Sequence, residues 1–181
     1  MSYVVDAVNG VTCLDGRLYV ISLVRRSIGV FAADTFSEVF NITVNGLIFP
    51  WDIVACRADH QLYLIDTQRS IWRVSAVNPS DSEKWLTDES LQGFCTMSVT
   101  SRRLLVTSWS GGLRQYSTTD KKLLRAVKLP DFAEKPTHGV ETPRGTFVVC
   151  HGGLLQTSGV SELFSFIICL LIFLECCSLA S

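Results

Sequence analysis

Four short apolar runs punctuate the chain at nearly equal intervals. They are Arg17 to Ser22 (RLYVIS), Gln61 to Asp66 (QLYLID), Arg103 to Ser108 (RLLVTS) and Thr146 to His151 (TFVVCH). Their leading apolar residues, Leu18, Leu62, Leu104 and Phe147, stand 44, 42 and 43 positions apart. In an extended chain Leu62 and Leu64 point one way, and Tyr63 and Ile65 the other. Both faces of each run are therefore apolar. A strand of that kind has to lie in a sheet with a packed layer above and below it. No segment of these units carries the 3.6-residue periodicity of an amphipathic helix.

The flanking segments repeat with the same phase. An inner strand is predicted before each run, at Gly10 to Cys13, Ile53 to Cys56, Met97 to Thr100 and Val140 to Thr142. Turn-tolerant pairs separate the two strands: Asp15-Gly16, Asp59-His60, Ser101-Arg102 and Arg144-Gly145. Third strands are predicted at Ile28 to Ala32, Ile71 to Ser75, Leu113 to Ser117 and Val160 to Leu163, and outer strands at Glu38 to Val44, Glu83 to Leu86 and Leu123 to Leu129. Four antiparallel strands per repeat of about 43 residues predict the blades of a β-propeller. The expected class is thus all-β: a partial β-propeller of about four blades of antiparallel strands. Gly111-Gly112 and Gly152-Gly153 fall in matching turns. A strand follows Gly112 where a phosphate cradle would need a helix N-terminus, so these glycines are expected to make turns.

The second unit, PWDIVACRADHQLYLIDTQRSIWRVS (Pro50 to Ser75), resembles an NHL repeat through Pro50, Ile53, Val54, Leu62, Tyr63, Leu64, Asp66, Ile71 and Val74. Trp51 replaces the glycine usual after the proline, and Ser22, Ser108 and His151 stand where this unit has Asp66. The likeness extends over about residues 8 to 162. It implies a propeller of the usually six-bladed kind, here shortened to under four blades. Members serve as protein-binding or RNA-binding platforms and, in a few cases, as lactonases or lyases with a metal on the axis. A truncated or spliced propeller is expected, with a small closed propeller and two paired half-propellers as the alternatives.

Charge narrows the partners. Sixteen Lys and Arg balance 17 Asp and Glu, and that balance gives no electrostatic reason to expect nucleic acid, which needs a basic face. The basic pairs Arg25-Arg26, Arg102-Arg103 and Lys121-Lys122 fall in expected turns and read as solvated. The start lacks a signal-peptide pattern, and seven cysteines, an odd number without any C-x-x-C pair, read as reduced thiols of a cytoplasmic chain. Asn41-Ile42-Thr43 matches a glycosylation sequon, which that location would leave unused.

Candidate chemistry is sparse. The repeat phase aligns Asn9, Asp52, Cys95 and His138 at the entry of the inner strand. Asp52, Cys95 and His138 are metal-competent residue types, but they start on separate blades and are expected to be solvated entry residues holding no metal. Asp66, Ser108 and His151 occupy equivalent points of different blades rather than one triad. No catalytic residue and no cofactor are expected. Trp51 and Trp109 sit at strand and turn boundaries where a propeller face is built, and are the candidates for protein contact. Trp72, in mid-strand, is expected in the core.

At residue 163 the composition changes. Residues 1–162 form the expected propeller and 163–181 a hydrophobic tail, with Leu163 to Leu174 predicted as a helix of about three turns packed on the last blade. As a helix that segment spans about 18 Å, against a hydrocarbon core of about 30 Å, and Glu175 follows it. Membrane association through this tail is the competing location, with Cys169, Cys176 and Cys177 available for acylation. The leading functional expectation is a non-enzymatic protein-interaction scaffold. A propeller lactonase or lyase and a tail-anchored membrane adaptor are the alternatives.

Overall fold

A computed structural model describes residues 7–23, 25–110, 112–131, 133 and 135–151 and, for the backbone, 168–172. All its regular structure is antiparallel sheet. The first sheet is β1 (Val8–Leu14), β2 (Arg17–Ser22), β3 (Ser27–Ala32) and β4 (Glu38–Thr43). The second is β5 (Pro50–Cys56), β6 (Gln61–Asp66), β7 (Ser70–Ser75) and β8 (Ser82–Thr87). The third is β9 (Cys95–Thr100), β10 (Arg103–Ser108), β11 (Gly112–Ser117) and β12 (Leu123–Lys128). Each runs as a meander in chain order. The fourth contains β13 (Pro136–Glu141), β14 (Phe147–His151) and β15 (Ile168–Ile172).

The expected strands of the first three units are all present, within a few residues. The inner strands begin two to four residues earlier than the apolar pattern indicates, because a polar residue, glycine or proline interrupts that pattern near each start (Asn9, Pro50 and Asp52, Thr96, Pro136 to Gly139). Gly111, the Gly152-Gly153 pair and the expected strand Val160 to Leu163 lie outside the described residues. So does most of the expected helix Leu163 to Leu174; its described part, Ile168–Ile172, is a strand paired with β14. No helix among the described residues is long and apolar enough to cross a membrane.

The doubly apolar runs do what their pattern requires. Tyr19, Ile21, Ile28 and Val30 of the first sheet pack against Ile53, Leu62, Leu64 and Trp72 of the second. The opposite face of the second sheet, with Tyr63, Ile65 and Trp85, packs on Met97, Leu104, Val106 and Tyr116 of the third. The far face of the third, with Leu105 and Leu113, meets Phe147 and Val149. Each fully buried side chain of this size contributes roughly 1.5 to 3 kcal/mol. Buried Leu47, Leu91 and Leu129 anchor the connections between sheets.

The inner strands stack β1 on β5, β5 on β9 and β9 on β13, and among the described residues no comparable contact brings β13 back to β1. Side chains lace these strand edges to the next unit's backbone. Ala55 N donates to Thr12 Oγ1 at 3.1 Å, Met97 N to Asp52 Oδ2 at 2.7 Å, and Ser98 Oγ to the Gly139 carbonyl at 2.8 Å. The approach is closest at Gly139, where a Cβ would stand 2.6 Å from Thr107 Oγ1.

Candidate functional site: an aromatic cleft across three sheets

Three aromatic side chains from two successive units converge at one end of the stack. Trp51 and Phe94 stack with ring centroids 4.1 Å apart and planes at 20°, and Trp109 tilts against Phe94 at 5.0 Å. With Thr96, Pro136 and Thr137 they line a cleft of about 260 Å³. Phe94 is 45% exposed and Trp109 36%, which is unusual for side chains of this size.

Local irregularities of the backbone aim these residues. The β5–β6 register slips between Pro50 and Asp52, and the β13–β14 register between Pro136 and His138. The extra residues are Trp51 and Thr137, and both line the cleft. A bulge is a common means of redirecting one side chain out of a ladder. In the third unit the entry is built differently. Gly93 has φ 72°, and a Cβ on it would lie 3.3 Å from Cβ of Trp109. The chain therefore turns tightly under Trp109, and Trp109 N donates to the Phe94 carbonyl at 2.9 Å. Lys135, itself at φ 48°, leads into Pro136 and places Nζ 5.7 Å over the Trp109 ring, within the range of a cation–π contact.

The two tryptophans singled out for contact are thus brought together. Phe94 and Pro136 complete the cleft, and Lys135 borders it over Trp109, without having been legible as site residues. Their signal was the repeat phase: Phe49, Phe94 and Lys135 each directly precede the first residue of an inner strand. Trp72, expected in the core, is buried, with Nε1 donating to Asp66 Oδ2 at 2.8 Å.

The entry ring needs a correction. Asp52 pairs with Ile65, and the residues at the same register are Gly10 opposite Ile21, Thr96 opposite Thr107 and His138 opposite Cys150. Cys95 drops out because the third unit lacks the bulge that the first, second and fourth carry there, and Asn9 because it is itself the extra residue of the first unit's bulge. Asp52 is occupied structurally, accepting the amides of Met97 and Ile53. Burial lifts its carboxyl above the usual range, opposed by those amide donations and by the nearby His138 ring. Cys95 is buried, with Sγ 3.7 Å from the Gly93 carbonyl, and burial pushes its thiol up to about 11. Among the described residues no three His, Cys, Asp or Glu side chains gather as a metal site requires.

Asp66 also has a structural task. Its Oδ1 accepts the amides of Gln68 and Ser70, closing the β6–β7 turn, while Ser108 Oγ, at the equivalent position, donates to the Gln92 carbonyl. His60 is exposed, with Nδ1 2.8 Å from Asp15 Oδ2. A buried polar cluster, which sequence reasoning missed, ties the fourth sheet to the third. Glu141 accepts from Arg103 Nε at 3.0 Å, Gln115 Nε2 at 2.8 Å and Arg125 Nη2.

No known family description matches the sequence, and no curated protein matches it. Solved structures do match in shape. Hydrazine synthase of Kuenenia stuttgartiensis aligns with 85% of this chain at a TM-score of 0.63 and 14% identity, over 44% of its own length. A chain of the Nidogen/Laminin complex aligns with 81% at 0.63 and 14% identity, over 57% of its length. The WD40 β-propeller domain of Doa1 aligns with 77% at 0.56 and 14% identity, over 45% of its length. At such identities the likeness concerns fold alone. This chain spans about half the length of each of these structures. Radially stacked four-stranded meanders and these neighbours define the class as a partial β-propeller.

Proposed function

We propose that this chain is a non-enzymatic protein-interaction module of the NHL-like propeller type, and that it receives its partner at the cleft of Trp51, Phe94 and Trp109. One observation carries the reading. A bulge at Trp51 and a left-handed glycine beside Phe94 and Trp109 bring large aromatic side chains from separate units to one solvent-facing cleft, which a second bulge completes with Thr137. Exposed tryptophan beside a preformed hollow is the composition of an interaction hot spot. The NHL-type assignment draws support from Asp66, which closes the turn of the one unit that follows the pattern most fully. The Nidogen/Laminin complex, a structural neighbour, is an assembly of proteins, which agrees with a binding role for this architecture. The lyase or lactonase alternative loses its motivation, since Asp52 is bound to backbone amides and Cys95 lies off the ring. Membrane attachment through Leu163 to Leu174 and a cytoplasmic location stay as expectations from the sequence.

Selection of random displayed peptides on the full chain tests this. Isolated binders are expected to lose more than about tenfold in affinity on Trp51→Ala and on Trp109→Ala, a loss typical of a hot-spot residue. Binders indifferent to both substitutions would move the site elsewhere.

A further inference from the structure

The aromatic cleft does not end at Trp109. Trp109 also lines a second hollow of about 330 Å³, together with Lys128, Asp131 and Lys135. The second hollow shares Ser110 and Lys128 with a third, of about 350 Å³, lined by Arg114. The three together form one trough along the end of the third sheet, aromatic at one end and basic at the other.

The charges along it are unequal. Among the described residues that line the trough, the cations are Arg114, Lys128 and Lys135, and the acid is Asp131. Arg114 is committed to Asp88, with Nη1 3.6 Å from Oδ2. Lys128 Nζ stands 3.9 Å from Asp131 Oδ1 with side chains 89% and 99% exposed, a pairing of the kind that contributes little. Lys135 lies over the Trp109 face. Two ammonium groups thus border the hollow walled by Trp109, although the chain as a whole has a net charge of −1.

We propose that the trough holds an extended acidic peptide segment of the partner protein. An apolar or aromatic side chain of that segment enters the cleft lined by Trp51, Phe94 and Trp109, and its carboxylates follow over Lys135 and Lys128. The inference rests on the reading of the chain as a protein-interaction module. Single-stranded nucleic acid uses related parts, stacking rings and cations, but the trough suits it poorly. Trp51 and Phe94 already stack on each other, which leaves fewer free ring faces for bases. Asp131 interrupts the cationic track that successive phosphates require, and Arg114 is already paired with Asp88.

The test is fluorescence anisotropy on the full chain at low salt. The probe is a labelled peptide with one phenylalanine followed by a run of glutamates. Its controls carry alanine for the phenylalanine, or glutamine or lysine for the glutamates. A short oligothymidylate is the nucleic-acid control. The acidic peptide is expected to bind at least about tenfold more tightly than the glutamine peptide, and to weaken as salt screens the charges. Lys128→Glu with Lys135→Glu, both at exposed positions, should reverse the preference toward the lysine peptide while leaving the melting temperature unchanged. Trp109→Ala should weaken every peptide.

Equal binding of the acidic, neutral and basic peptides, still sensitive to Trp109→Ala, overturns the acidic assignment and leaves the interaction module standing. Failure of all four peptides to bind overturns the assignment too; whether the module reading survives is then decided by the displayed-peptide selection. Tighter binding of the oligothymidylate than of the acidic peptide overturns it in favour of nucleic acid.

Discussion

Glu141 shows how one side chain can hold two sheets in register. Its carboxylate is 1% exposed and meets two guanidinium groups and the Gln115 amide. Arg125 also donates to Gln115 Oε1 at 2.7 Å and to the Gly145 carbonyl at 2.8 Å, and lies 4.7 Å over the Phe147 ring. Taking away one partner of a buried charge leaves that charge short of compensation. Arg125→Ala is therefore expected to destabilise the chain by about 3 kcal/mol in urea unfolding. Thiol reactivity gives a second outcome at this scale. Burial pushes both Cys56 and Cys95 from an ordinary value of 9.0 to about 11, whereas Cys13 is exposed. In mass-spectrometric mapping of alkylation at mildly alkaline pH, Cys13 is expected to react well before either. The folded chain holds those two protons more tightly than the unfolded chain does. Their contribution to stability is thus full below pH 9.0 and is lost as the pH rises toward about 11. Trp51 and Trp109 were legible in the sequence because tryptophans at strand boundaries have no core role to absorb them. Phe94 and Lys135 were not, since only the stacking of sheets brings them beside those rings. Cys95 was misplaced because a bulge adds a residue without altering the apolar pattern. Arg103 and Glu141, 38 positions apart, carry no local signal of pairing.

Each sheet is a meander whose hairpins are set by short turns. At Ser101-Arg102 both residues lie in the left-handed region, with φ of 45° and 62°, and neither is a residue suited to it. Replacing the pair by Asn-Gly is expected to raise stability by about 1 kcal/mol, read as a higher urea midpoint with an unchanged slope. A loss of stability would mean that the exposed contact of Arg102 Nη2 with the Ala58 carbonyl, 3.3 Å long, outweighs the turn. Elements were the most legible scale. Leu62 to Ile65 and Leu104 to Thr107 are buried on both faces, as runs apolar on alternate positions have to be. The starts of the inner strands were hidden, because Pro50, Trp51 and Asp52 or Pro136, Thr137 and His138 look like loop by composition. They extend along the next strand only because the bulge and the neighbouring sheet satisfy them.

In the whole molecule the four sheets stack through their inner strands, and the trough forms where three successive units meet. The 42- to 44-residue spacing made that stacking legible, whereas the trough depends on how far each unit rotates from the last, which no spacing reports. The most direct test is a heteronuclear NMR titration of the full chain with the acidic peptide, following the four tryptophan indole N–H signals. Trp72 Nε1 is bonded to Asp66, and Trp85 is 3% exposed within the second and third sheets' shared core. Both signals should stay in place. Those of Trp51 and Trp109 should shift together and saturate at one peptide per chain, along with the amides of Thr96, Lys128 and Lys135. Shifts confined to other surfaces, such as the exposed Val8 and Val11 of the first sheet, with the Trp51 and Trp109 signals unmoved, would contradict the account.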